Sequence, residues 1–271
     1  VRGSIAGTGG AVLLAAIALA CAFPQLLTIY DPDAIDFSAK FAAPGPAHPM
    51  GTDDMGRDVL ARVLHGGRVT LGAAAISSAA SLLLAVMWAA VSASLGGMAD
   101  EIMTRVADMV MNIPNLLLVL LLVSLIGPGM VGLVIALGAA RWAGYARILR
   151  GQVLALLGEE YVLASRASGA RPVHIIRHHI IPNLRPLALK LLGLNFAACV
   201  LSISGLSFLG FGVRPPQAEW GAMIDAARPF MQSRPYLMAF PSAAVLLSIL
   251  AANFTLELAD RSAEQGLVSR L

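Results

Sequence analysis

The chain has 271 residues, of which 58% are hydrophobic and 13% charged, where a soluble domain carries roughly 25% charged residues. That deficit argues against one large soluble core and for apolar segments placed in lipid, each of about 20 residues. A formal net charge of +3 is small, and the basic residues fall between apolar runs instead of on an aromatic-studded face, so no nucleic-acid partner is expected.

A window of about 19 residues predicts an all-α membrane protein with about six transmembrane helices, near 10–29, 71–95, 109–126, 130–149, 184–206 and 236–256. The first run contains "ALACA", a cleavage-like site, but only Arg2 precedes it and the run continues to Ile29. It is read as an uncleaved helix. Cys21 and Cys199 lie inside apolar runs and are expected to be small core residues. "GTDDMGRD" at 51–58 reads as a turn and the start of a capped amphipathic helix, with Asp58 and Arg62 spaced for an i,i+4 pair. It lacks the acid spacing of a calcium loop and is expected to be a docking surface for a partner. The third and fourth runs are separated only by "GPGM", a turn signal that predicts a helical hairpin.

Orientation follows from Lys and Arg in short loops. Eight fall between Arg141 and Lys190, against two acids, Glu159 and Glu160. The loop 151–182 is therefore expected in the cytoplasm with both termini, and the loops 30–70 and 207–235 outside. Residues 96–108, with one Arg and three acids, fit a cytoplasmic side poorly. Arg141 follows about eleven apolar or small residues of the fourth run. Either it faces a cavity within the bundle or its long stem carries the charge to the cytoplasmic surface. Arg141, Asn195 and Ser202 are the candidate pathway-lining residues, although polar groups within spans serve mostly as interhelical hydrogen bonds.

"EEYVLASRASGARPVHIIRHHIIPN" at 159–183 is charged where its surroundings are apolar. A helix from 160 to 168 is expected to stop at Gly169 in a left-handed turn. Pro172 suits the first turn of a second helix, expected to end at Pro182. Small residues from Ala164 to Ala170 permit close approach of another backbone, and Glu160, Arg166 and Arg171 could fix its register. His174 and His178 have zinc spacing but no evident third ligand, so no metal site is assigned.

This segment resembles the EAA loop of ABC importer permeases. The strict Glu-Ala-Ala falls on Leu163, Ala164 and Ser165, but Glu160-Tyr161 matches the variant "EYxxAAxxxGA…HILPN" of the dipeptide/oligopeptide/nickel permeases. "HPMGTDDMGRDVLARVLHGGRVTL" at 48–71, "YARILRG" at 145–151 and "GLSFLGFGVRPPQAEWGAMI" at 205–224 resemble signatures of the same family, C-type partner. The resemblance implies a single permease domain over 1–271, placed in the cell inner membrane. It further implies a homologous second permease, two ATP-binding subunits and an external solute-binding protein. The ATPase-coupling residues would be Glu160, Tyr161, Ala164, Ser165, Gly169, Ala170 and Pro182.

The chain's two lysines, Lys40 and Lys190, precede Phe and Leu, so neither fits a phosphate-binding P-loop. ATP and Mg²⁺ are therefore expected in partner subunits, with no cofactor in this chain. No catalytic triad or paired catalytic carboxylate pattern marks it as an enzyme. A secondary transporter or a channel subunit without an ATPase is the alternative, weakened by the lack of an internal repeat. The family's cargo is mostly short peptides. "RVADMVM" at 105–111 and Ala218 in "AEWG" resemble the nickel permeases and give a slight lean to nickel or a chelate.

Overall fold

The computed structural model describes residues 2–268, with side chains described from 7 to 255. The described regular structure is helical, with one isolated bridge, Thr52 to Asp58. The helices are α1 (Arg2–Ala22), α2 (Val59–Leu95), α3 (Gly97–Asn112), α4 (Asn115–Ile126), α5 (Met130–Leu157), α6 (Glu160–Ala167), α7 (Pro172–Ile175), α8 (Ile181–Phe208), α9 (Trp220–Ala227) and α10 (Tyr236–Val268).

By length and composition, α2, α5, the continuous run Pro172–Phe208 and Tyr236–Thr255 can each cross a membrane. The α3–α4 pair, bent by 91°, makes a fifth if it is one broken span, and α1 adds a shorter apolar stretch, Gly7–Ala22. Against the six expected, the described residues give four such helices, or five with the bent pair, and the other two expected runs are irregular. The run expected at 10–29 ends as α-helix at Ala22 and turns through Pro24–Leu26. The run expected at 109–126 is broken, because Pro114 lacks an N–H and holds Ile113 extended.

Four further expectations change. Residues 30–70 are not one loop. Asp58 accepts from Ala61 N at 2.7 Å and caps α2, which runs 37 residues from Val59. At 1.5 Å per residue that is about 55 Å, well beyond a hydrocarbon core of about 30 Å. Asp58 also holds His48 at 2.8 Å, while the Arg62 side chain turns to Asp33 at 3.1 Å and Pro32 O at 2.8 Å. The expected Asp58–Arg62 pair does not form, because capping takes the carboxylate. Residues 97–108 belong to α3, not to a loop, and two of its three acids face the basic stretch of α5: Arg150 Nε donates to Asp100 Oδ1 at 2.7 Å, and Arg147 lies 3.5 Å from Asp108, while Glu101 pairs with Arg105 of α3 itself. Finally, the second helix of the charged segment does not end at Pro182. Residues Ile176–Ile180 form a π turn in which Ile181 N–H bonds Ile176 O. This wider turn takes up the proline, and the helix continues to Phe208.

Apolar side chains gain little by leaving lipid for one another, so packing follows small residues. The α2–α5 contact is built this way, with Ala73, Ala74, Ser77 and Ala85 on one helix and Ala136, Ala140, Ala143 and Ala146 buried on the other. Two apolar clusters result. One surrounds Trp220 with Val63, Ile203, Leu206 and Leu237. The other joins Leu82, Leu149 and Val153 to Val162, Ile175, Ile180 and Leu184. The second therefore carries the α6–α7 tip on the same core as α2, α5 and α8.

Candidate coupling loop and pathway site

Helix α6 ends in a full Schellman motif. Gly169 N–H bonds Arg166 O at 3.0 Å and Ala170 N–H bonds Ser165 O at 3.1 Å, with Gly169 at φ +83°. Arg171 then caps α7 through its carbonyl, which accepts from His174 N at 2.9 Å, and Pro172 takes the first helical position. Val162 and Ile175 are buried beneath this tip. On its outside lie Tyr161 (44% exposed), Leu163 (48%) and Val173 (73%). Glu160, Ala164 and Gly169 are exposed, while Ser165, Ala170 and Pro182 are half-buried. Tyr161 is tied to the base of α8, where Asn183 Nδ2 donates to its hydroxyl at 3.4 Å. The His174 and His178 rings stack 4.2 Å apart.

Two of the three pathway candidates meet. Arg141 Nε donates to Asn195 Oδ1 at 2.8 Å, and the buried Asn195 donates through Nδ2 to Ser78 O at 3.4 Å. This bond links α5 to α8 and holds one edge of the half-buried guanidinium against α8. Ser202 is not brought to them; its hydroxyl bonds Ala198 O of its own helix at 2.8 Å. Arg141 borders a cleft of about 530 Å³ opened by the α3–α4 bend.

Sequence reading missed Glu219. Its carboxylate is fully buried, accepts from Thr70 Oγ1 at 2.9 Å and caps α9 through Ala222 N at 2.9 Å. The sequence carried little signal for this role, because glutamate is not among the side chains that favour a helix N-cap. Burial pushes this carboxyl above a glutamate's ordinary 4.5, against the hydrogen bonds that favour its charged form. A carboxyl raised in the folded state binds a proton that the unfolded chain releases, so this group's contribution to stability is greatest below 4.5 and falls as pH rises through the raised value. Thermal unfolding in detergent is expected to show that fall in the wild-type chain and a flatter profile in Glu219→Gln. An unchanged slope in the variant would place its origin elsewhere.

Residues 81–266 match the family described as binding-protein-dependent transport system inner membrane component. The chain is 36% identical over 242 residues to the nickel transport system permease protein NikC of Escherichia coli (strain K12), covering 89% of this chain and 87% of that protein. It is 34% identical over 252 residues to the probable D,D-dipeptide transport system permease protein DdpC of the same strain, covering 93% and 85%. It is 33% identical over 244 residues to the oligopeptide transport system permease protein OppC of Bacillus subtilis (strain 168), covering 90% and 80%. The helical membrane architecture and these matches agree on one assignment: the chain belongs to the binding-protein-dependent transport system inner membrane components, as an ABC importer permease of the dipeptide/oligopeptide/nickel family.

Proposed function

We propose that this permease forms one half of the translocation pathway for a small solute, beside a homologous second permease. Two ATP-binding subunits, which hold ATP and Mg²⁺, dock on 151–182, and an external solute-binding protein delivers cargo to the face built from 30–70 and 207–235. The observation that carries the reading is the α6–α7 tip. Three apolar side chains stand outward there, on a turn fixed by the Schellman bonds and anchored through Val162 and Ile175 to the cluster that also holds α2, α5 and α8. A groove closing on Tyr161, Leu163 and Val173 would bury apolar surface worth about 25 cal/mol per Å², and its motion would pass to the spans through a shared core. Glu160, Ala164, Ser165, Ala170 and Pro182 shape the same tip. The chain is a single permease domain in the cell inner membrane with both termini in the cytoplasm.

The cargo class is a short peptide, as the names of the dipeptide and oligopeptide relatives suggest, or nickel or a nickel chelate, as that of NikC suggests. "RVADMVM" at 105–111 leans slightly to the second.

The test has two arms. In vesicles holding the assembled complex, uptake is expected to require ATP; uptake that persists after ATP removal would support a secondary transporter or channel. On a background lacking Cys21 and Cys199, an impermeant thiol reagent applied from outside is expected to label Gly45→Cys and spare Ala170→Cys. The opposite pattern would invert the topology and remove the tip from the ATPase side.

A further inference from the structure

We propose that the cleft beside Arg141 is a carboxylate-binding point of the pathway, so that the solute passing it bears a free carboxylate and a bare divalent cation is disfavoured. This deepens the pathway reading and rests on it. The cleft, about 530 Å³, lies between Ile113, Pro114 and Asn115 at the α3–α4 break and Arg141, Gly144 and Tyr145 on α5. Non-helical backbone at membrane depth is tolerated where protein buries it or where it lines a water-filled cavity, which fits a break placed on the pathway. An intramembrane charge is likewise costly unless it faces such a cavity or finds a partner.

The orientation of the guanidinium supplies the chemistry. Its Nε is taken by Asn195, whose own amide is tied to Ser78 O. The group is thereby held from one edge, and its two terminal nitrogens keep four N–H donors. Among the described residues no carboxylate pairs with Arg141. The other charge on the cleft, Arg147, has the same sign and is 3.5 Å from Asp108. A mostly apolar wall strengthens the field of that residual positive charge. A planar fork with a fixed edge matches a carboxylate through two parallel N–H···O bonds, whereas an uncomplexed divalent cation meets the like charge of Arg141 with no unpaired carboxylate on the cleft to offset it. Both cargo classes can present this group, one as a peptide C-terminus and the other as an acid arm of a chelate.

The first measurement needs no transport. In the assembled complex, phenylglyoxal modification of Arg141, mapped by mass spectrometry, is expected to slow about tenfold, the scale of a charge-assisted hydrogen bond, with saturating alanyl-alanine or nickel–citrate. Alanyl-alanine amide and nickel chloride are expected to give no protection. Which of the two carboxylate probes protects identifies its source. Protection by neither, or equal protection by the amide, would overturn the proposal. The second measurement compares uptake of each pair. Arg141→Gln is expected to lower uptake of the carboxylate probe about tenfold relative to its twin, with Arg141→Lys between the two because it keeps charge without the fork. An equal fall for both twins would reveal a structural role and sink the idea. Protection of Arg141 without ATP-driven uptake of any probe would count against the importer reading and leave the carboxylate site standing.

Discussion

Gly169→Val is expected to leave the chain inserted and folded while removing most ATP-driven uptake. A Cβ built at this position meets nothing within 4 Å, so crowding is not the cause. The cause is φ at +83°, a conformation that a β-branched residue resists at a cost of roughly 1–3 kcal/mol. Relief comes by moving Gly169 to negative φ, which breaks the bonds from Gly169 N to Arg166 O and from Ala170 N to Ser165 O. Val162 and Ile175 anchor the helices on either side, so the change falls on the angle between α6 and α7 and separates Leu163 from Val173. The ATPase then binds poorly or hydrolyses without transport. Bulk at the exposed Ala164 acts on the same surface by blocking close approach. Gly169→Asn, which tolerates left-handed backbone, is expected to retain more uptake than valine. Arg177→Ala, at an exposed position within the π turn, is expected to do little. Co-purification of the ATPase and uptake into vesicles decide the matter: wild-type values for Gly169→Val with loss in Arg177→Ala would show that the tip is not the coupling element.

The tip was legible because its signals are local. Gly169 before Pro172, with a charged run on each side, states a helix stop and a helix start in adjacent residues, and the Schellman bonds are the physical form of that statement. Pro182 misled for the same reason: a proline reads locally as an end, while the π turn that absorbs it is made by the backbone of five residues before it. Hydropathy saw apolar mass at 109–126 but not its direction, which changes by 91° across the break at Ile113 and Pro114. The acids of 96–108 resisted the charge rule because they are not loop charges. Asp100 and Asp108 face Arg150 and Arg147 across fifty and thirty-nine positions of sequence, and such pairing has no local trace. Arg141 was legible as an anomaly of depth. Its tie to Asn195 was not, since only the folded bundle sets α5 beside α8.

Gly221→Ala is expected to destabilise the α9 end of the molecule by roughly 1–3 kcal/mol or more, and Trp220→Ala by roughly 3–5 kcal/mol. Trp220 is fully buried, donates from Nε1 to Val63 O at 2.8 Å and sits among Ile203, Leu206 and Leu237. It is the side chain through which α9 holds α2, α8 and α10 together. Removing it leaves a cavity at that junction and takes away the second hydrogen bond on the Val63 carbonyl, whose first is intrahelical. Gly221 acts by absence: a Cβ there would lie 2.1 Å from Ser204 O, a backbone atom of α8 that cannot swing aside. Alanine must therefore lift α9 from α8, and Glu219, one residue before Trp220, would be drawn from Thr70 with it. Gly205→Ala is the matched control. It lies one residue along α8, its Cβ would meet nothing within 4 Å, and alanine favours helix over glycine by about 1 kcal/mol. Both α9 variants are expected to unfold at lower temperature in detergent and to lose the partner permease on purification, while Gly205→Ala unfolds at or above the wild-type temperature. Gly169→Val gives the opposite signature, normal unfolding with lost uptake, because its strain lies at an exposed turn outside the packed clusters. A Gly221→Ala chain as stable as wild type would mean that α9 does not seat on α8, and that this end of the molecule is held by the Asp33–Arg62 and Tyr236–Thr52 contacts instead.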